Sequence, residues 1–153
     1  MIQVSLVPHD LKYARSMSSQ SSVPQVKNAL GLSDEQTSLN GTIDFIKFIL
    51  KQEKLGKQYS RVILNEEGNL SGVITLKDIN QTDKSSHIGT WIGYQYWGKG
   101  YNQSAKAKML HTAFTILDLE YVFAGAKLTN IRSQKAQEKL PYIRIGAEKE
   151  FPE

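Results

Sequence analysis

The chain opens with strict alternation: Ile2, Val4 and Leu6 are apolar and Gln3 and Ser5 polar, as in a half-buried strand, and Pro8-His9-Asp10 punctuates its end. A short helical stretch over 11–17 follows, and the serine-rich patch 16–22 reads as a polar loop. From Thr42 the apolar residues Ile43, Ile46, Phe48, Ile49, Leu50 and Leu55 recur near the helical period, so a helix is expected between an entry at Gly41-Thr42 and a stop at Gly56. Two β-rich runs, 59–64 and 70–76, flank Asn65-Glu66-Glu67-Gly68-Asn69, a loop suited to a hairpin. A third run, 88–94, comes after the polar stretch 78–86, which predicts a three-stranded meander. After Gly100 the period changes to about 3.6, with Ala105, Met109, Leu110, Ala113, Phe114 and Leu117 on one face of a long amphipathic helix. A short strand over 121–126, a polar helix over 130–140 stopped by Pro141 and a final strand over 142–148 complete the pattern. The fold class expected is α/β, with a single mixed, mostly antiparallel sheet flanked by helices, in one domain over 1–153.

Composition narrows the function classes. Apolar residues make up 40% of the chain, enough to offset ordering entropy, which excludes a disordered tail. Cysteine is absent, so disulfides, thiolate metal sites and cysteine nucleophiles are excluded. Apolar runs such as Val62-Ile63-Leu64 fall far short of the ~20 residues of a membrane span, and Met1 leads into a strand-like segment rather than a signal peptide, so a soluble, cytoplasmic protein is expected. The net charge is +4, but between Gly98 and Ile145 eight basic residues (Lys99, Lys106, Lys108, Lys127, Arg132, Lys135, Lys139, Arg144) face three acids (Asp118, Glu120, Glu138). A basic excess confined to one segment points to an anionic ligand, either nucleic acid or a phosphorylated cofactor. The only aromatics from Asn102 to Leu140 are Phe114, Tyr121 and Phe123, all at apolar-period positions, which disfavours a nucleic-acid stacking surface.

The most informative stretch is Gln95-Tyr96-Trp97-Gly98-Lys99-Gly100-Tyr101-Asn102-Gln103, between an apolar strand and the long helix. Glycines there let backbone amides approach an anion, and the helix N-terminus adds partial positive charge. Two glycines alone would equally serve a tight turn. A dinucleotide fingerprint would need glycine where Gln103 stands, and a Walker loop would need Ser or Thr where Gly100 stands.

Gln95, Gly98 and Gly100 match the pyrophosphate loop of the GNAT superfamily of acyl-CoA N-acyltransferases, and the stretch around Ile88-Gly89-Thr90-Trp91-Ile92-Gly93 resembles the branch of ribosomal-protein N-terminal acetyltransferases. Asn130 and Ser133, with Glu138-Lys139-Leu140 after them, resemble that branch's cofactor-contacting segment. The resemblance implies acetyl-CoA as cosubstrate, held by Trp91, Ile92 and Gly93 along the strand and by Gln95, Gly98, Lys99, Gly100, Tyr101, Asn102 and Gln103 at the pyrophosphate, with Asn130 and Ser133 as further contacts. It implies direct transfer to a primary amine, a protein or peptide N-terminus first. A small amine such as a polyamine or amino-sugar, or a non-catalytic acyl-CoA- or nucleic-acid-binding domain, is the alternative.

Catalytic roles follow from the same likeness. His87 stands where the branch often places a carboxylate base, and a neutral imidazole can accept a proton at pH 7, although a histidine at a strand end need have no role. Gln137 replaces the superfamily's usual proton-donating tyrosine, which leaves Ser133 as donor to the thiolate or as a cofactor contact, with Tyr142 a weaker option. Pro141 takes the place of a customary glycine. His9, His87 and His111 are scattered, so no metal is expected. The family sheet usually closes with a seventh strand beside the one matched by 121–126, whereas this sequence stops at Glu153 after six predicted strands. A bare strand edge, and through it a homodimer, is therefore expected.

Overall fold

The computed structural model describes residues 2–124 and 129–132. Its period-two segments join into one six-stranded sheet in chain order: β1 (Ser5–Val7), β2 (Tyr59–Leu64), β3 (Leu70–Asn80), β4 (Ser85–Ile92), β5 (Tyr121–Ala124) and β6 (Thr129–Arg132). Every neighbouring pair is antiparallel except β4 and β5, which run parallel. The helices are α1 (Ala14–Ser21), α2 (Pro24–Leu30), α3 (Asp34–Thr37), α4 (Leu39–Lys54) and α5 (Tyr101–Thr115).

Alternation along the strands builds a core on each face. Ile63, Ile74, Leu76, Ile88 and Ile92 pack under α5 against Ala105, Met109 and Ala113, while Val62 and Val73 pack on the other face against Ala14, Met17 and Ile46 of α1 and α4. Full burial of one such aliphatic side chain contributes about 2 kcal/mol. Among the described residues no helix is long and apolar enough to cross a membrane.

The expected mixed, mostly antiparallel sheet is present, and several boundaries move. The patch 16–22 is not a loop: α1 runs to Ser21, because Ser21 and Ser22 return their hydroxyls to the Ser18 and Ser19 carbonyls and Met17 is buried beneath. The long helix starts at Leu39 rather than at Gly41-Thr42, since Ser38 Oγ caps it by accepting from Gly41 N at 3.0 Å. Gly41 lies inside the helix, where a side-chain carbon would collide with the Glu35 carbonyl of α3. The polar stretch 78–86 is mostly strand, with Asn80 Oδ1 accepting from Thr82 N and Asp83 N to make the turn. β4 ends at Ile92, and Tyr94–Tyr96 is a 3₁₀ turn.

Two expectations at the C-terminal end fail. Asn130, Ile131 and Arg132 are strand, not the start of a helix, with Ile131 opposite Val122 and Asn130 opposite Phe123. β6 thereby satisfies the edge of β5 from Tyr121↔Arg132 to Ala124↔Thr129, so the bare edge that would have driven homodimerisation does not exist there. The rest of the predicted helix, the final strand over 142–148, and Lys127, Ser133, Lys135, Gln137, Glu138, Lys139, Leu140, Pro141, Tyr142 and Arg144 lie outside the described residues.

Candidate active site

The end of β4 sets the site. Gly93 N donates to Ser71 O at 2.8 Å, and Ile92 pairs with Gly72. Antiparallel bonds alternate along a strand, so Ile92 and Thr90 turn their N–H and C=O groups to the opposite edge. Trp97 Nε1 donates to Ile92 O at 2.7 Å on that edge. The same edge pairs with β5 from Ser85↔Tyr121 to Ile88↔Ala124, and β4 continues four residues beyond. The Ile92 amide is thus directed to where the parallel seam ends.

The turn that follows is held by glycine. Gly98 has φ +73° and Gly100 φ +90°, left-handed conformations that a side chain disfavours. Gly100 caps α5 without a side-chain hydrogen bond, and its carbonyl receives Ser104 N at 3.1 Å. The amides of Tyr101, Asn102 and Gln103 therefore have no intrahelical acceptor and carry the positive end of the helix dipole.

These groups border a cleft of about 760 Å³, lined by seven of the predicted cofactor residues: Trp91, Ile92, Gly98, Gly100, Tyr101, Asn102 and Gln103. Gly93 is buried beside it, and Gln95 is exposed in the 3₁₀ turn. Lys99 faces a neighbouring depression with Gln103, Lys108 and His111. Asn130 sits on β6, and Ser133 lies outside the described residues. The donor set, backbone amides at a helix start beside lysine, fits a pyrophosphate.

A second cleft, of about 690 Å³, opens over Val73, Thr75 and Lys77 of β3 and Gly89 of β4, with Phe45 and Phe48 of α4 and the acids Glu35 and Asp44 on its other wall. Phe45 and Phe48 are 37% and 52% exposed, apolar surface without a protein partner over much of its area. Leu30, Thr90 and Trp91 line both clefts, so the two meet at β4.

His87 is half-buried, opposite Lys77 on β3, with its ring 5.2 Å from that of Phe123. Alternation puts it on the face of Gly89 and Trp91, but it lines neither cleft. Sequence reasoning missed another histidine. His9, read as strand punctuation and set aside as a metal ligand, is buried, with Nε2 2.8 Å from Ser60 Oγ. Burial, and then the nearby Arg61 guanidinium, push its pKa down to about 4, so the ring is neutral at pH 7.

With this geometry in view, comparison with known proteins is decisive for the family. The acetyltransferase (GNAT) domain pattern matches residues 4–142. The chain belongs to the GNAT family. A GNAT relative, the putative ribosomal N-acetyltransferase YdaF of Bacillus subtilis, is 31% identical over 80 residues, covering 52% of this chain and 44% of its own. Among solved structures, Mycobacterium smegmatis RimJ in complex with CoA-disulfide superposes with a TM-score of 0.73 at 20% identity, over 80% of this chain and 64% of that one. The spermidine N-acetyltransferase of Vibrio cholerae, in complex with CoA and spermine, gives 0.67 at 19% identity, over 80% and 70%. Both structural likenesses are of fold. The chain spans less than half the length of YdaF.

Proposed function

We propose that this GNAT chain is an acetyl-CoA-dependent N-acetyltransferase that passes the acetyl group directly to a primary amine, a protein or peptide N-terminus in the first place. The observation that carries the reading is the meeting of two clefts at Thr90 and Trp91, one rimmed by the amides that open α5 and the other by acids and aromatics. Acetyl-CoA, when bound, supplies an activated thioester. The amides of Tyr101, Asn102 and Gln103 hold phosphate oxygens, and Lys99 adds charge beside them. The Ile92 amide, turned off the β3 ladder, is the donor for oxyanion charge near the end of the seam. His87, on the acceptor face of β4, takes the proton that the ammonium group must lose before attack. Asn130 and Ser133 complete the cofactor contacts, and Ser133 is the donor to the departing thiolate.

The likeness to YdaF, a putative ribosomal N-acetyltransferase, favours a protein acceptor. Glu35 and Asp44 favour a cation of either class, which keeps a polyamine or amino-sugar as the second reading. The test is CoA release by the chain across a panel of short peptides, polyamines and amino-sugars. Peptide-dependent release supports the first reading. Release with polyamine or amino-sugar alone supports the second, and acetyl-CoA binding without release under any amine refutes both.

A further inference from the structure

The wall of the second cleft contains a hydrogen-bonded chain with no part in the chemistry above. It begins at His9, 6% exposed, whose ring meets Phe45 edge-on at 5.7 Å. His9 Nε2 lies 2.8 Å from Ser60 Oγ on β2, and Ser60 Oγ lies 2.7 Å from Thr75 Oγ1 on β3. Ser60 is fully buried, whereas Thr75 is half-buried and lines the cleft on the face shared with Val73 and Gly89. The other ring nitrogen, His9 Nδ1, is buried without a hydrogen-bond partner.

That orphan atom orders the chain. Were the proton on Nδ1, an N–H donor would be buried with no acceptor, an arrangement that native structures rarely hold. With the proton on Nε2, the ring donates to Ser60 Oγ. Ser60 has one hydrogen, and Thr75 Oγ1 at 2.7 Å is a nearer acceptor than Ile74 O at 3.4 Å. Thr75 then accepts from Ser60, and its own hydrogen is left to point onward at the cleft. Since the His9 ring is neutral at pH 7, it carries the single proton this order requires.

We propose that His9 and Ser60 are positioning residues that hold the Thr75 hydroxyl as a hydrogen-bond donor in the acceptor cleft, where it reads a carbonyl oxygen close to the reacting amine. An acceptor of the peptide class supplies that oxygen in its first amide. A polyamine has none, so the Thr75 hydrogen would be left without an acceptor. The inference rests on the proposed function, and it chooses between the two acceptor classes left open there. Glu35 and Asp44 serve the ammonium charge in both classes, and Lys77, on the same face, adds one opposing charge.

The test measures binding of a short peptide amide with a free α-amine, and of spermine, by calorimetry in the presence of CoA. The chains compared are wild type, Thr75→Val, Thr75→Ser and Ser60→Ala, each checked for its melting temperature. The expected result is a fall of about 3- to 10-fold in the ratio of peptide to spermine affinity for Thr75→Val, the scale of one neutral hydrogen bond. Thr75→Ser restores the ratio, and Ser60→Ala lowers it without a matching change in melting temperature. Equal weakening of both ligands, no change in the ratio, or no binding of either overturns the proposal. Binding needs no turnover, so an absence of CoA release by wild type refutes the transfer reading while leaving the Thr75 ratio measurable.

Discussion

Gly93 and Gln20 are in such close register that a methyl group at Gly93 would collide with the Gln20 Oε1 atom. Gln20 cannot simply swing away, because its Nε2 donates to Leu70 O at 2.7 Å and to Ser16 Oγ at 3.2 Å. This links α1 to the end of β4, the point at which the Ile92 amide leaves the β3 ladder.

Gly93→Ala is therefore expected to destabilise the chain by about 1–3 kcal/mol, the range for overpacking, and to weaken acetyl-CoA binding as well. Gln20→Ala should cost less alone and recover part of the loss when combined with Gly93→Ala. A double-mutant cycle by chemical denaturation checks this, and strictly additive losses would count against the contact.

At the loop, charge can be separated from backbone strain. Gly98 has φ +73° with open space where a side chain would start, and Asn and Asp share a tolerance for that conformation. Gly98→Asp should weaken acetyl-CoA binding at least tenfold more than Gly98→Asn in a calorimetric titration, because only the carboxylate opposes a pyrophosphate. Equal affinities in two folded variants would remove the anion from this turn.

For His87, replacement by alanine is expected to lower kcat at pH 7 by ~10² with acetyl-CoA affinity retained, the usual scale for loss of a general base. Turnover within threefold of wild type would leave His87 as a side chain packed on Phe123.

Acid stability should report His9. Its pKa is about 4 in the fold against an ordinary 6.5, so the unfolded chain takes up the proton first as pH falls. Stability from this group is complete above pH 6.5 and is lost progressively down to about pH 4, by up to about 3 kcal/mol. His9→Gln removes the titration: denaturant midpoints at pH 7 and pH 4.5 should differ less for the variant than for wild type. An equal difference in both would dismiss His9 as the source.

Legibility in the sequence followed the strength of local constraint. β2 could be bounded to the residue, because Tyr59–Leu64 ends in the apolar run Val62-Ile63-Leu64 and is followed by a turn. The start of α5 was equally plain, since Gly98 and Gly100, whose positive φ glycine adopts most readily, stand just before it. By contrast, α2 and α3 are short, α3 is polar throughout, and a capping box at Ser33 with Gln36 makes α3 where periodicity is silent. β6, with the composition Thr-Asn-Ile-Arg, acquires its strand character from pairing with β5 rather than from its own residues. The chain from His9 through Ser60 to Thr75 was out of reach altogether: its members are 51 and 15 residues apart, and only the sheet register makes them neighbours.

The contact between Gly41 and the Glu35 carbonyl has a mechanical meaning for the second cleft. Side chains that border a site can adjust by changing rotamer, but here α3 rests on α4 with main chain against main chain. The rim carrying Glu35 and Gln36 is consequently a fixed jaw, and room for a bulkier amine has to come from side chains elsewhere in the lining, such as Leu30 and Leu32. A laboratory search for widened acceptor range should accumulate its changes at those leucines and leave position 41 as glycine.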